Sequence, residues 1–401
     1  MSAGLKSSIL DVYSRYDFVP VKARGVYLYD NNGKKVLDFL GGVAVNVLGY
    51  KNKALENAIK KQTNRGFYSQ SNYFVNEEAE ELAKKLCKIA GIADGKVFFQ
   101  NSGAEANECA IKIARKWFNS IHNTKYNEII CMTNAFHGRS IATISATLRK
   151  KLTEGFEPLL DGFKIAEPNN IESVKAIINE HTCAIMLEPI QGEGGILPCE
   201  KQFMQDLRKL CDEKNILLIL DEVQCGNGRT GKYFAYQHYD IVPDILTTAK
   251  GLAGGLPIGV CIVKDEIGKY ITKGSHGSTF GGNALCCCAG NACMDEILKP
   301  AFMKNVVKVS EYFNAKLKKL CKKYPEVFKK VSGKGLMLGL SVDEKYLAGD
   351  VTKELLKNGL SCCTAGGNQI RFLPPLIITK RHVSKAVSII EKVAKKLSNE
   401  K

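Results

Sequence analysis

The chain runs to 401 residues, room for two or three domains, and its 45% hydrophobic and 24% charged residues exclude a disordered polymer. No repeat or low-complexity tract suggests a fibre or solenoid. Lys+Arg 57 against Asp+Glu 41 leaves a formal charge of +16, but the lysines are thinly spread, and the denser stretch from Lys316 to Lys323 suits a solvated helix face rather than a nucleic-acid stripe.

In chain order, the first pattern is a hairpin between Gly25 and Leu40. Val26-Tyr27-Leu28-Tyr29 and Lys35-Val36-Leu37-Asp38-Phe39 flank a turn at Asp30-Asn31-Asn32-Gly33. Five short apolar runs then alternate with helical patterns: Lys96 to Gln100, Glu128 to Met132, Cys183 to Leu187, Ile216 to Leu220 and Asp244 to Thr248. Each predicts a buried strand, and together they predict an α/β architecture with a largely parallel sheet. Each run ends in polar or glycine-rich residues, and open α/β sheets bind ligands beyond the carboxyl ends of their strands. From about Lys299 onward, lysine-rich amphipathic helices surround the apolar segments Gly335 to Leu340 and Gln369 to Leu373. The expected division is a large α/β domain at 56–295 and a smaller α+β domain at 296–401, which the N-terminal segment 1–55 joins.

Fifteen cysteines include no Cys-x-x-Cys pair, and the neighbours Cys286, Cys287, Cys288 and Cys362, Cys363 suit no usual zinc spacing, so no metal is expected. The start lacks the pattern of a signal peptide, and no apolar run approaches the ~18 residues of a membrane helix. Many thiols without export point to a reducing, cytoplasmic compartment.

Three places carry candidate chemistry. Ser102-Gly103-Ala104-Glu105 follows a strand with the spacing of a capping box. A glycine just inside a helix start lets an anion reach free backbone N–H groups, although the same residues suit an ordinary capped helix. Asp221 closes the most apolar strand, where a carboxylate is costly unless paired. Lys250 closes another and precedes Gly251-Leu252-Ala253-Gly254-Gly255; a lysine partly removed from water has a lowered pKa and serves as a nucleophile. A structural Asp–Lys ion pair explains these two residues equally well. One chemistry uses all three parts, because a pyridoxal phosphate enzyme needs a lysine, an acid for the pyridine nitrogen and a phosphate anchor.

Six motifs occur in order: Ser102 to Asn107, Phe136-His137-Gly138-Arg139, Glu188 to Gly195, Asp221 to Gly226, Lys250-Gly251, and Gly277 to Asn283. With them the chain resembles the class III pyridoxal phosphate aminotransferases from about Tyr13 to near its end. It is most similar to those acting on acetylornithine, with those acting on ornithine close behind. The resemblance implies a fold type I transferase. It implies that Lys250 holds the cofactor and moves the proton, Asp221 pairs with the ring nitrogen, and Gln224 lies near the phenolic oxygen. Phe136 and Val223 would pack on the two ring faces. Ser102, Gly103 and Ala104 would cradle the phosphate, although Ala104 replaces a frequent threonine. Thr279 would reach the phosphate of the neighbouring subunit, making a homodimer the active unit.

The same resemblance assigns the substrate. Arg139 would clamp the distant carboxylate of an ω-amino donor, and Arg371 would take the carboxylate beside the reacting carbon of 2-oxoglutarate. Glu193 would pair with Arg371 while the donor is bound, and Ser278 falls on the substrate side. The implied reaction moves the ω-amino group of N-acetylornithine to 2-oxoglutarate by a ping-pong route. Val43 stands where ornithine enzymes place a tyrosine, and a small apolar residue there suits an acylated donor better than free ornithine, while enzymes acting on N-succinylornithine, succinyl-diaminopimelate or 4-aminobutyrate share most of these residues. Gly49-Tyr50-Lys51-Asn52-Lys53 replaces the family's Gly-His-x-His-Pro, a change expected to affect a loop only. A racemase, decarboxylase or aminomutase would not need all of Arg139, Glu193 and Arg371, and a basic nucleic-acid binder on a dead scaffold would not keep Lys250 and Asp221. On this reading His137 is a hydrogen-bonding support, His276 is structural, and Glu222 has no chemical job.

Overall fold

In a computed structural model, residues 8–399 are described. A seven-stranded sheet forms the centre, in the order Lys96–Gln100, Gly259–Val263, Ile245–Thr248, Leu217–Asp221, Thr182–Leu187, Glu128–Met132, Phe163–Ala166. Neighbours from Ile245–Thr248 to Phe163–Ala166 run parallel. Gly259–Val263 is antiparallel to both of its neighbours. All five predicted strands are present, each within a residue or two of its expected ends. Phe163–Ala166 and the antiparallel strand Gly259–Val263 are additions that the apolar runs did not single out.

The middle strands Thr182–Leu187 and Leu217–Asp221 are buried along their whole length, as expected of a sheet covered on both faces. Helix Gly103–His122 packs on one face. Its Ala106, Ala110, Ile113 and Trp117 recur at helical spacing and are buried, and Asn123 ends it in the left-handed conformation at φ 48°.

The predicted hairpin forms strands Tyr27–Tyr29 and Lys35–Asp38. Asp30 shapes its turn, one carboxylate oxygen accepting from the N–H groups of Asn32 (2.9 Å) and Lys34 (2.8 Å). Lys35–Asp38 then pairs in parallel with Leu360–Ser361, so the two ends of the chain share one small sheet. A second sheet orders Phe328–Lys334, Met337–Val342, Gln369–Phe372 and Cys363–Ala365, all antiparallel. The buried Arg229 ties the centre to these C-terminal segments by donating to the backbone oxygens of Leu336 and Pro374.

Tyr50, at the departure from the family's loop pattern, has a structural job. Its hydroxyl donates to Asp38 Oδ2 at 2.7 Å, and its backbone pairs with Gly25. Between the hairpin and Tyr50 the chain makes a turn in which Gly41, Gly42, Val43 and Ala44 all have positive φ, between 58° and 70°. Val43 is thereby turned into a small apolar cluster with Ile190, Ile196 and Leu373.

Candidate active site

The carboxyl ends of the parallel strands open into a cavity of about 470 Å³. Asp221 ends one strand, and its register partner on the next is Thr247, which brings Lys250 to the same rim three residues later. Ser102, Gly103, Ala104, Phe136, Arg139, Val223 and Gln224 line the cavity with these two. Residues spread over 149 positions of sequence therefore meet because their strands end side by side.

Asp221 is 3% exposed and fully engaged. Its Oδ2 accepts from Asn107 Nδ2 at 2.7 Å and His137 Nδ1 at 2.8 Å, and its Oδ1 accepts from the Val223 N–H at 3.0 Å. Asn107 Nδ2 also donates to the His137 carbonyl at 2.7 Å, while its Oδ1 accepts from the Thr247 hydroxyl at 2.7 Å. One amide thus joins a helix, two strand ends and the loop carrying Phe136.

Lys250 makes no hydrogen bond or ion pair with any of the described residues. Burial lowers its pKa, and the charge of Arg371 lowers it further. Its backbone sits at φ 43°, a region disfavoured for a side-chain-bearing residue and found at functional sites. The alternative of a direct Asp221–Lys250 ion pair does not occur; Asp221 has other partners.

At the helix start, Ser102 Oγ accepts from the Glu105 N–H at 3.2 Å and donates to Glu105 Oε2 at 2.9 Å. The return arm of the capping box reaches the Asn101 N–H at 3.0 Å rather than that of Ser102. The first N–H groups of the helix have no intrahelical acceptor and face the cavity with the positive end of the dipole. Space is tight here: a Cβ on Gly103 would lie 2.6 Å from Val223 Cγ1, and one on Gly259 would lie 2.0 Å from the Ser102 carbonyl oxygen.

Arg371 is 4% exposed and forms an ion pair with Glu193. The same Nη1 donates to Gln224 Oε1 at 3.1 Å, which connects the pair to the cavity wall. Arg139 is exposed; its guanidinium lies 5.6 Å from the centre of the Phe136 ring and has no carboxylate partner among the described residues. Two cations therefore flank the cavity, one closed by a carboxylate and one open.

Ser278 and Thr279 lie elsewhere. They border a separate groove with Tyr73, Phe74 and Val75, and Thr279 is exposed. Ser278 touches the site only through Asn101, whose Nδ2 is 3.4 Å from its hydroxyl. Val43 is not on the cavity wall either, because the left-handed turn points it into the apolar cluster; Val45 lines the cavity in its place. Val43 therefore offers no side chain to a substrate in this cavity.

Sequence reasoning passed over Glu188 and Asn107. Glu188 Oε1 accepts from the Phe136 N–H at 3.0 Å and Oε2 from the Gly192 N–H at 2.9 Å. Burial, and then the charge of Asp221, push its carboxyl up to about 7. Its signal was present, since it closes an apolar strand as Asp221 does. Asn107 had none, because its partners lie 30, 114 and 140 residues away.

Known proteins match along the whole chain. The family model "Aminotransferase class-III" covers residues 11–394. Acetylornithine aminotransferase of Methanocaldococcus jannaschii is 44% identical over 96% of this chain and 95% of its own length. Among solved structures, ornithine aminotransferase from Toxoplasma gondii superposes with a TM-score of 0.93 at 29% identity, covering 98% of this chain and 94% of that one. N-acetylornithine aminotransferase from Stenotrophomonas maltophilia gives 0.84 at 30% identity, covering 97% and 98%. A cavity with a desolvated lysine, a triply held aspartate and two arginines is what such chemistry needs, and the chain belongs to the class III aminotransferases.

Proposed function

We propose that this aminotransferase moves the ω-amino group of N2-acetyl-L-ornithine to 2-oxoglutarate, yielding N-acetyl-L-glutamate 5-semialdehyde and L-glutamate, a step of arginine biosynthesis. The observation that carries the reading is the pairing state of the two arginines: Arg371 is closed by Glu193, while Arg139 is open. A donor whose reacting amine is remote from its carboxylate uses the open arginine, and an amino acid reacting beside its carboxylate must open the closed one. The substrate names in the relatives point the same way.

The family depends on pyridoxal phosphate, and the residues of the cavity suit it. The donor set is right for each part of that molecule: free N–H groups at Ser102–Ala104 for a phosphate, the Asp221 carboxylate for the ring nitrogen, and an amine at Lys250 for an aldehyde. Phe136 and Val223, both on the cavity wall, are the side chains offered to the faces of a flat ring. When bound, the cofactor supplies an electron sink for the bond broken at the amino-bearing carbon.

The chain's own groups do the rest. Lys250, its charged form disfavoured by burial, would hold the cofactor and would serve as the base that moves the proton at the amino-bearing carbon of the substrate. Asn107 and His137 fix the orientation of the Asp221 carboxylate. Glu188 secures the Phe136 backbone, and Gln224 joins the cavity to Arg371. Arg139 takes the distal carboxylate of either substrate with a planar fork.

Thr279 is outside its own cavity and exposed, which supports its role in a neighbouring subunit's site and hence a homodimer. The fifteen unpaired thiols suit a reducing, cytoplasmic setting, and no helix among the described residues is long and apolar enough to cross a membrane. The deciding measurement is a panel of N-acetylornithine, N-succinylornithine, ornithine and 4-aminobutyrate with 2-oxoglutarate, compared by kcat/KM. N-acetylornithine is expected to lead, and a lead for free ornithine or 4-aminobutyrate would overturn the substrate assignment. In the same assay Lys250→Ala is expected to lose nearly all turnover while remaining folded; retained turnover would remove Lys250 from the mechanism.

A further inference from the structure

Arg371 is held on three of its N–H groups, and the third holder is a cysteine. Nη1 serves Glu193 and Gln224, so both of its hydrogens are used. Nε points at Cys363 Sγ, 3.3 Å away. Nη2 meets no protein acceptor among the described residues. A guanidinium binds a carboxylate through two parallel N–H groups on one edge, and only two such edges include Nη2. One is the end edge, Nη1 with Nη2, where an incoming carboxylate would meet Glu193 and Gln224 on Nη1. The other is the side edge, Nε with Nη2, which the sulfur covers.

The sulfur is held in place by the backbone rather than by its own weak bond. Cys363 and Arg371 are direct register partners across an antiparallel ladder, so their side chains rise on one face at close range. On the other flank Arg371 faces Gly339, which offers no side chain. A neutral thiol is a poor acceptor, yet its bulk occupies the path along which a carboxylate would approach Nε.

We propose that Cys363 is a specificity-determining positioning residue: by covering the side edge of Arg371 it confines an incoming α-carboxylate to the end edge, and so forces it to displace Glu193. This inference rests on the reading of Arg371 as the site of the carboxylate beside the reacting carbon. Without the sulfur, that carboxylate could bind through Nε and Nη2 while Glu193 stayed paired. The two binding modes would then cease to exclude each other, and an ω-amino donor could enter the wrong way round at no cost to the Glu193 pair.

The test is a cycle of Cys363→Ala, Glu193→Gln and the double variant as holoenzymes, measuring the KM for L-glutamate in single half-reactions followed by cofactor absorbance. Removing Glu193 is expected to lower that KM roughly tenfold in the parent, the scale of one charge-assisted hydrogen bond, and to change it little once Cys363 is alanine. Cys363→Ser, which keeps an atom over Nε, is expected to retain the parent's dependence on Glu193. If the two substitutions act independently, their fold-changes multiplying, or if serine behaves as alanine does, Cys363 has no part in the exclusion. Arg371→Lys separates the two levels of the argument: an unchanged glutamate KM there would show that the carboxylate binds elsewhere and would overturn the site reading together with the proposal.

Discussion

Glu222, adjacent to Asp221 in sequence, is wholly buried and turned away from the cavity. One oxygen accepts from the Tyr236 N–H at 2.7 Å and the other from the Ala235 N–H at 2.8 Å, so it caps the short helix Ala235–His238. Burial pushes its carboxyl up to about 7, but both oxygens are needed as acceptors. Glu222→Gln keeps the shape and turns one acceptor into a donor facing an N–H. Thermal and denaturant unfolding are expected to show a loss of about 1–3 kcal/mol, with the KM values of the residual folded enzyme unchanged. A neutral outcome would mean that the cap carries no weight. Asp221 and Glu222 also show what one sequence can reveal about a residue. Asp221 announced itself by closing an apolar strand, and so did Lys250. The acceptor role of Glu222 depends on a backbone 13 and 14 residues away, and the bonds of Asn107, two donated and one accepted, on three distant segments; neither leaves a local pattern.

Strands were legible where an apolar run was bounded by turn residues, and the Asp30-Asn31-Asn32-Gly33 hairpin was legible because an aspartate at that place makes its own turn. The direction of a strand was not. Gly259-Val260-Cys261-Ile262-Val263 follows Gly254-Gly255-Leu256-Pro257-Ile258, where apolar residues run on across the boundary, and nothing in the run distinguishes an antiparallel strand from its parallel neighbours. Yet this element sets the anion cradle, because Gly259 lies against the Ser102 carbonyl. In Gly259→Ala the added Cβ would meet backbone, which has nowhere to retreat, and overpacking of that kind costs about 1–3 kcal/mol. The variant is expected to lose pyridoxal phosphate on dialysis faster than the parent. Gly349→Ala, in helix Ala348–Lys357 with nothing within 4 Å of the new methyl, is the control expected to be neutral or slightly stabilised. Equal cofactor retention in both would detach Gly259 from the cradle.

Across the whole molecule, the exposed apolar side chains are unevenly placed. Tyr73 is 98% exposed, Val75 82%, Phe74 70% and Phe280 62%, and they gather around the groove that carries Thr279. A solitary soluble chain rarely leaves such a patch in water. Sedimentation is expected to give twice the mass of the chain, and Phe74→Asp with Phe280→Asp is expected to give single chains with little turnover, since each cavity would lack its neighbour's Thr279. Fully active single chains would end the shared-site reading. The charge of +16 is compatible with this, being spread over surfaces outside the patch. No composition argument reaches an assembly of this kind, because the residues concerned are unremarkable until the fold brings them together.

The cysteines give the molecule a property unrelated to its chemistry. Thirteen of the fifteen are buried, and all fifteen are unpaired. They are distributed through the central sheet at Cys131, Cys183 and Cys261, its covering helices at Cys109 and Cys211, and the helix Ala284–Ile297 at Cys286, Cys287, Cys288 and Cys293. An alkylating reagent reaches each buried sulfur only when its surroundings open, so the native chain carries a ready set of clocks for local unfolding. The order in which those thiols are labelled would rank the parts of the fold by how often they come apart, without a single engineered probe.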